Sequence, residues 1–238
     1  MPEPLFRKLG QFIKLTDDDR RVLSNATQDV RAIGAREDII LEGDRPDVVH
    51  LILEGWAGRY KILAGGQRSI LAYLIPGDLC DIHVALLTEM DHSIATLSPC
   101  RIAFISRSEI TTILEANSRL TRALWWATMV DEAILREWLV TVGHRPADKR
   151  IGHLFCEMLL RSKAVGLTSD NSFHLPLTQE ELGDTMGLSA VHTNRTLGEL
   201  RNAGLISIDG RRITIPDVDR LKEFAEFNPN YLHQQKGK

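Results

Sequence analysis

The chain has 238 residues, 43% of them hydrophobic and 26% charged, with 29 Lys and Arg against 32 Asp and Glu for a net charge of −3. This is ordinary globular composition, long enough for one or two domains, and no apolar run approaches the roughly 20 residues of a membrane-spanning helix. The start, Met1-Pro2-Glu3-Pro4, lacks the layout of a signal peptide, so a cytoplasmic location with no membrane partner is the expectation.

Cys80, Cys100 and Cys156 show no paired spacing; they read as small buried hydrophobes, not as a disulfide or zinc framework. Residues 1–117 carry 13 basic and 17 acidic side chains, net −4, whereas 143–215 carry 9 and 8, net +1. The acidic excess lies away from the C-terminal part, yet charge alone makes a weak nucleic-acid footprint.

In chain order, Thr16 caps a helix that opens on Asp17, Asp18 and Asp19. From about Val30 to Ile105, apolar or alternating runs recur between the turn signals Glu42-Gly43-Asp44, Glu54-Gly55, Ala64 to Gln67 and Pro76-Gly77-Asp78. This predicts a compact β-roll or barrel of antiparallel strands. From Ser106 the pattern turns helical and runs nearly unbroken to Val142. Leu120, Leu124, Ala127, Ile134 and Trp138 form an apolar stripe near a spacing of 3.5, with Asp131 as its polar exception. A parallel second copy of the helix is the economical cover for such a stripe; packing on the roll is the alternative. Trp125, Trp126 and Trp138 make more apolar surface than one contact face needs. Gly143-His144-Arg145-Pro146 then breaks the helix as a hinge. Ala147 to Lys163 reads as an amphipathic helix with Ile151, Leu154, Phe155, Met158 and Leu159 inward, followed by a short strand at Phe173 to Leu175. The tail after Asn228 reads as frayed.

The densest signal is Leu177 to Ile215. Thr178 and Glu181 make a capping box, and Leu177 with Leu182 a hydrophobic staple. Gly187 ends that helix, Leu188 turns inward, and Ser189 caps a second helix running to about Ala203. Leu205 to Ile215 alternates around Asp209-Gly210, a hairpin signal. Helix, glycine turn, helix and hairpin make a winged helix-turn-helix, whose second helix enters a DNA major groove. Its outward first turns present Val191, His192, Asn194 and Arg195, with Ser189 and Ala190 at the entry. Arg195 has the fork for a guanine edge, Asn194 can meet an adenine edge or a phosphate, His192 a base or the backbone, and Val191 a thymine methyl. Thr178 and Gln179 are placed for a phosphate, and Arg201, Arg211 and Arg212 are expected phosphate contacts. Thr193 and Thr196 stand where such units usually bury aliphatic residues, which leaves looser packing or contact through their methyls.

This order resembles the Crp–Fnr superfamily of bacterial transcription regulators over essentially the whole chain. Thr178-Gln179-Glu180-Glu181-Leu182-Gly183, Gly187-Leu188-Ser189 and Asn194-Arg195 match most specifically. Ile40 to Asp44, Leu51 to Gly55 and Pro76-Gly77-Asp78 look like the family's roll turns. The resemblance implies an α+β architecture: a roll over 1–117, a dimerisation helix over 118–143 and a winged helix-turn-helix over 144–238. It also implies a homodimer on a two-fold symmetric duplex, RNA polymerase as partner, an effector acting on the roll, and Arg195 as base reader. The family's cyclic-nucleotide cassette matches here at Asp81-Ile82 and His92-Ser93, the candidate effector pocket. It lacks the phosphate-binding arginine, and Asp81 and Asp91 repel an anion, which argues against cyclic AMP. No cysteine precedes Cys80, which argues against the family's iron–sulfur cluster. Haem would need His50, His83 or His92, and Cys80, Asp81 and His83 lack a fourth metal partner. No cofactor or metal is assigned.

An enzyme reading, a cupin-like metal barrel, lacks a His-x-His pair, and there is no nucleophile elbow or phosphate loop. A protein-interaction module that no longer binds DNA is the remaining rival, supported by the near-neutral C-terminal region.

Overall fold

The computed structural model describes residues 1–82 and 88–234. Its contacts divide the chain into two compact units, Met1–Asp131 and Glu132–Gln234.

In the first unit, α1 (Glu3–Gly10) and α2 (Asp17–Ala26) precede strands β1 (Val30–Ile33), β2 (Asp38–Ile40), β3 (Val48–Glu54), β4 (Ala57–Ile62), β5 (Arg68–Leu74), β6 (Ser93–Thr96) and β7 (Cys100–Ser106). Helix α3 (Arg107–Ala116) follows, and α4 (Ser118–His144) begins in this unit and ends in the second. Thr16 caps α2 and exchanges hydrogen bonds with Asp19; Ser106 does the same with Glu109 at the start of α3. The strands form two antiparallel sheets, β1-β7-β3 and β2-β6-β4-β5.

The two-residue period of β3 and β7 explains the layers. Val49 and Leu51, with Ala103 and Ile105, face a cluster built from Leu5, Phe6 and Leu9 of α1, Leu23 of α2 and Ile110 and Ile113 of α3. Ile52 and Ile102 face the other way, onto Ala57, Leu74 and Ile94 of the second sheet. Helix α1 is absent from the sequence-based reading; its Leu5, Phe6 and Leu9 are the 3.6-period face that reveals it. The helical run from Ser106 is interrupted at Asn117, whose side-chain oxygen accepts from the Leu120 N–H.

One expectation is corrected here. Leu120, Leu124 and Ala127, expected against a second copy of the chain, lie instead in the roll's own helical cluster, the alternative that the sequence left open. Ile134 and Trp138 are buried within the protomer as well. The polar exception now has a partner set: Asp131 lies 3.5 Å from Lys8 Nζ and 3.6 Å from the Arg59 guanidinium, and Lys8 also meets Asp78 at 2.7 Å.

The second unit holds the end of α4, then α5 (Ala147–Ala164), β8 (Ser172–His174), α6 (Gln179–Met186), α7 (Ala190–Asn202), β9 (Ser207–Asp209), β10 (Arg212–Thr214) and α8 (Val218–Phe224). The expected inward face of α5 is buried throughout. The small sheet runs β8-β10-β9. The tail is not frayed: Pro229–Leu232 forms a 3-10 turn with Tyr231 and Leu232 buried. A buried carboxylate holds it there. Glu157 of α5 accepts from Tyr231 Oη at 2.9 Å, from Trp138 Nε1 at 3.0 Å and from Arg161 at 3.1 Å. Burial raises the Glu157 carboxyl above its ordinary range despite these donors. Such a cluster links residues 19 and 74 positions apart, which no local pattern could announce.

Candidate nucleic-acid interface

The helix pair is assembled by local chemistry and then locked by close packing. Thr178 Oγ1 accepts from the Glu181 N–H at 3.1 Å, and the Glu181 carboxylate accepts from the Thr178 N–H at 2.7 Å. Gly187 takes φ +66°, the left-handed conformation the turn requires, and its N–H bonds to the Gly183 carbonyl. Ser189 Oγ accepts from the His192 N–H at 3.2 Å and starts α7. A Cβ on Gly183 would lie 2.4 Å from the Leu188 carbonyl oxygen, so α6 and the turn touch at van der Waals limits. Gly183→Ala should therefore lower stability by about 1–3 kcal/mol by overpacking. A urea midpoint equal to the parent's would show that the turn has room.

Thr193 and Thr196 are buried beneath α7. Thr196 Oγ1 donates to the His192 carbonyl at 3.0 Å, whereas Thr193 Oγ1 has no hydrogen-bond partner among the described residues. Both threonines take the inward positions, and the second satisfies its hydroxyl within its own helix.

The opposite face of α7 is open. Val191 is 81% exposed, and Asn194 and Arg195 are exposed beside it. Arg195 leans 3.7 Å from Glu199, an i,i+4 contact on a solvated face that holds it weakly. His192 is half-buried, and Ser189 is exposed at the helix entry.

Thr178, Gln179, Asn194, Arg201 and Arg211 line a single cleft of about 440 Å³, floored by Phe155, Leu182 and Ile213. Arg211 stands at the wing tip. The hairpin turns on Gly210-Arg211, with Gly210 at φ +56° and Asp209 paired across to Arg212. Arg212 is placed differently from Arg211: its guanidinium pairs with Asp170 at 2.7 Å, on the sheet side of the wing. Asp170 also accepts from Ser172 and Thr168, and these bonds hold its carboxyl well below the ordinary carboxylate range.

The effector candidates in the roll lie apart from this interface in sequence. Asp81 is fully buried, with its carboxylate 2.9 Å from His50 Nδ1 and accepting from the His50 N–H at 3.0 Å. It is a core residue here, not an open ligand group, because both of its oxygens are engaged by His50. Ser93 is buried and its Oγ accepts from the Glu42 N–H at 2.9 Å. His92 Nδ1 lies 2.6 Å from Asp91, and Ile82 packs half-buried against the helical cluster. His83 lies outside the described residues. Cys80, Cys100 and Cys156 are buried thiols, and burial raises all three above the ordinary thiol range.

A face of α4 was missed by the sequence-based stripe. Trp125 is 66% exposed and Leu139 76%, and Leu135 and Val142 are open as well. With Thr128 and Glu132 they recur at alternating spacings of three and four, a heptad seam offset from the stripe that packs inward.

Comparison with known proteins agrees with this geometry. A family model for the cyclic nucleotide-binding domain matches residues 30–117, and one for the Crp-like helix-turn-helix domain matches 149–224. The transcriptional activator protein FnrL of Cereibacter sphaeroides is 25% identical over 199 residues, covering 82% of this chain and 79% of that protein. The nitrogen fixation regulation protein FixK of Azorhizobium caulinodans is 23% identical over 224 residues, covering 93% and 90%. The solved structure of FixK2 from Bradyrhizobium japonicum superposes with a TM-score of 0.74 at 22% identity, over 82% of this chain and 95% of that one, which is a likeness of fold. The chain belongs to the Crp–Fnr superfamily and is a transcription regulator with a Crp-type helix-turn-helix DNA-binding domain.

Proposed function

We propose that the chain works as a homodimer that sets two copies of α7 into successive major grooves of a two-fold symmetric duplex site. The observation that carries this reading is the shared cleft. Thr178, Gln179, Arg201 and Arg211 converge with Asn194 at one edge of α7, as a phosphate seat requires, while Val191, Asn194 and Arg195 are exposed along its open face for the base edges. The heptad face of α4 supports the dimer. A second copy is the occupant that matches it along its length, because a coiled-coil seam is complementary to itself. Helix α4 is the covalent link from roll to winged helix, so the population of DNA-competent dimers is set through it.

The roll does not take cyclic AMP in this reading: the cassette positions offer no arginine, and His50 holds the Asp81 carboxylate. RNA polymerase is the proposed partner at the promoter, in keeping with the activator name of the relative from Cereibacter sphaeroides.

Selection of bound DNA from random duplexes, with and without cyclic AMP, tests the reading. A palindromic site should emerge, the same in both arms. Arg195→Ala should then cost about 1–3 kcal/mol of affinity and relax one base position in each half-site. Arg211→Ala should weaken all sequences evenly and flatten the salt dependence. Unchanged operator affinity for Arg195→Ala would remove α7 from the role of reader, and retention of no duplex at moderate salt would favour a protein-interaction module.

A further inference from the structure

We infer that Gln179 is a positioning residue that fixes the side chain of Asn194 and thereby makes it a reader of adenine; this rests on the reading of α7 as the recognition helix. Asn194 Nδ2 donates to Gln179 Oε1 at 3.0 Å, from the fifth residue of α7 to the first residue of α6. Both side chains are short or mid-length, and the two helices that carry them are held at a fixed distance. Gly183 and the Leu188 carbonyl set that spacing, and the buried Thr193, one residue before Asn194, lies 3.3 Å from where a Gly183 Cβ would sit.

The consequence follows from the donor and acceptor inventory of the amide. One Nδ2–H is taken by Gln179. The second Nδ2–H and Oδ1 have no hydrogen-bond partner among the described residues, and in a planar amide the oxygen lies beside an N–H. A donor beside an acceptor is the complement of the adenine edge in the major groove, where N7 accepts and the N6 amino group donates. An asparagine free to rotate would present either of its ends; one tethered by its amino group presents this pair in one order. Asn194 is thereby committed to a base edge and not to a phosphate. The Gln179 amino group remains free to donate to a backbone oxygen in the same cleft as Arg201 and Arg211. Gln179 thus joins the phosphate seat to the base reader.

Two substitutions separate these duties. Gln179→Ala removes both the tether and the phosphate donor. Gln179→Glu keeps an acceptor for Asn194 Nδ2 while placing a negative charge beside the phosphate. All variants are first checked for the parent's melting temperature, since both side chains are exposed, and each is then carried through selection from random duplexes. The parent should select adenine at one position per half-site, and Asn194→Ala should abolish that preference. Gln179→Ala should reduce the preference about tenfold at that position alone, leaving the position read by Arg195 intact. Gln179→Glu should bind every sequence more weakly and still prefer adenine. Preserved adenine preference in Gln179→Ala, an equal loss of base preference at every position, or a parent site indifferent to Asn194 would overturn the inference while a palindromic site persisted; a uniform drop in affinity alone reflects only the lost phosphate donor. Failure of the parent to select any symmetric site would instead overturn the recognition-helix reading beneath it.

Discussion

Leu139→Asp should leave the chain folded but monomeric, and its affinity for a palindromic duplex should fall by 100-fold or more. Leu139 is 76% exposed in the protomer, so the substitution removes nothing from the chain's own core. In a parallel pair of α4 helices the same side chain is buried twice across the two-fold axis. Each buried leucine contributes roughly 1.5–3 kcal/mol, so the pair accounts for roughly 3–6 kcal/mol before the cost of facing two carboxylates is added. Loss of the dimer also removes the effective concentration by which one bound half-site delivers the other helix to its groove. Sedimentation and duplex titration read the two effects together. Leu120→Asp is the contrast: Leu120 is fully buried in the roll, so that variant should fail to fold rather than dissociate. A Leu139→Asp protein that stays dimeric would place the interface elsewhere.

Acid should weaken the second unit well above the ordinary carboxylate range, chiefly through one deeply buried imidazole. His153 of α5 is 1% exposed, edge-on to Phe227 at 4.8 Å and stacked on Tyr231 at 5.9 Å. Burial, and then the charge of Arg145, lower its pKa from 6.5 to about 3. Glu137 lies 3.2 Å from Nε2 and would favour the imidazolium, but Arg145 meets the same carboxylate at 2.8 Å and offsets it. The folded chain therefore holds His153 neutral while the unfolded chain protonates it near 6.5. Its contribution is complete above that value and is lost as pH falls from 6.5 toward 3. By pH 5 the loss amounts to about 2 kcal/mol. Glu157 acts in the opposite sense, since its raised pKa makes the folded chain bind a proton more readily. The comparison that isolates the imidazole is His153→Phe, which keeps a ring between Phe227 and Tyr231 and cannot titrate. Urea unfolding at pH 7 and pH 5 should show the smaller change in the variant. Equal changes in the two proteins would mean that His153 is charged when folded.

The recognition unit was legible because its instructions are local. Thr178 with Glu181, Gly187 and Ser189 each act within four residues, and the structure places every one of them at the cap or turn their chemistry demands. The same holds for Thr16 with Asp19 and for the turns between the strands of the roll. Periodicity was less decisive in α4, where two stripes of similar spacing run along one helix. The inward stripe is the more continuous in apolar residues, so it drew the dimer assignment that is proposed above for the other face. Asp81 was misplaced for a related reason. A carboxylate at a family's ligand position looks available until His50, 31 residues away, is found against it.

Capping residues, glycine turns and alternation thus specified most of the secondary elements, the winged helix-turn-helix and the side chains on the open face of α7, because each depends on neighbours a few residues apart. Which face of α4 the chain keeps for itself, where Asp131 finds its cations and how Tyr231 orders the C-terminal turn were settled only by folding. Those outcomes depend on burial against segments distant in sequence, and an amphipathic pattern names a face that must be covered without naming what covers it.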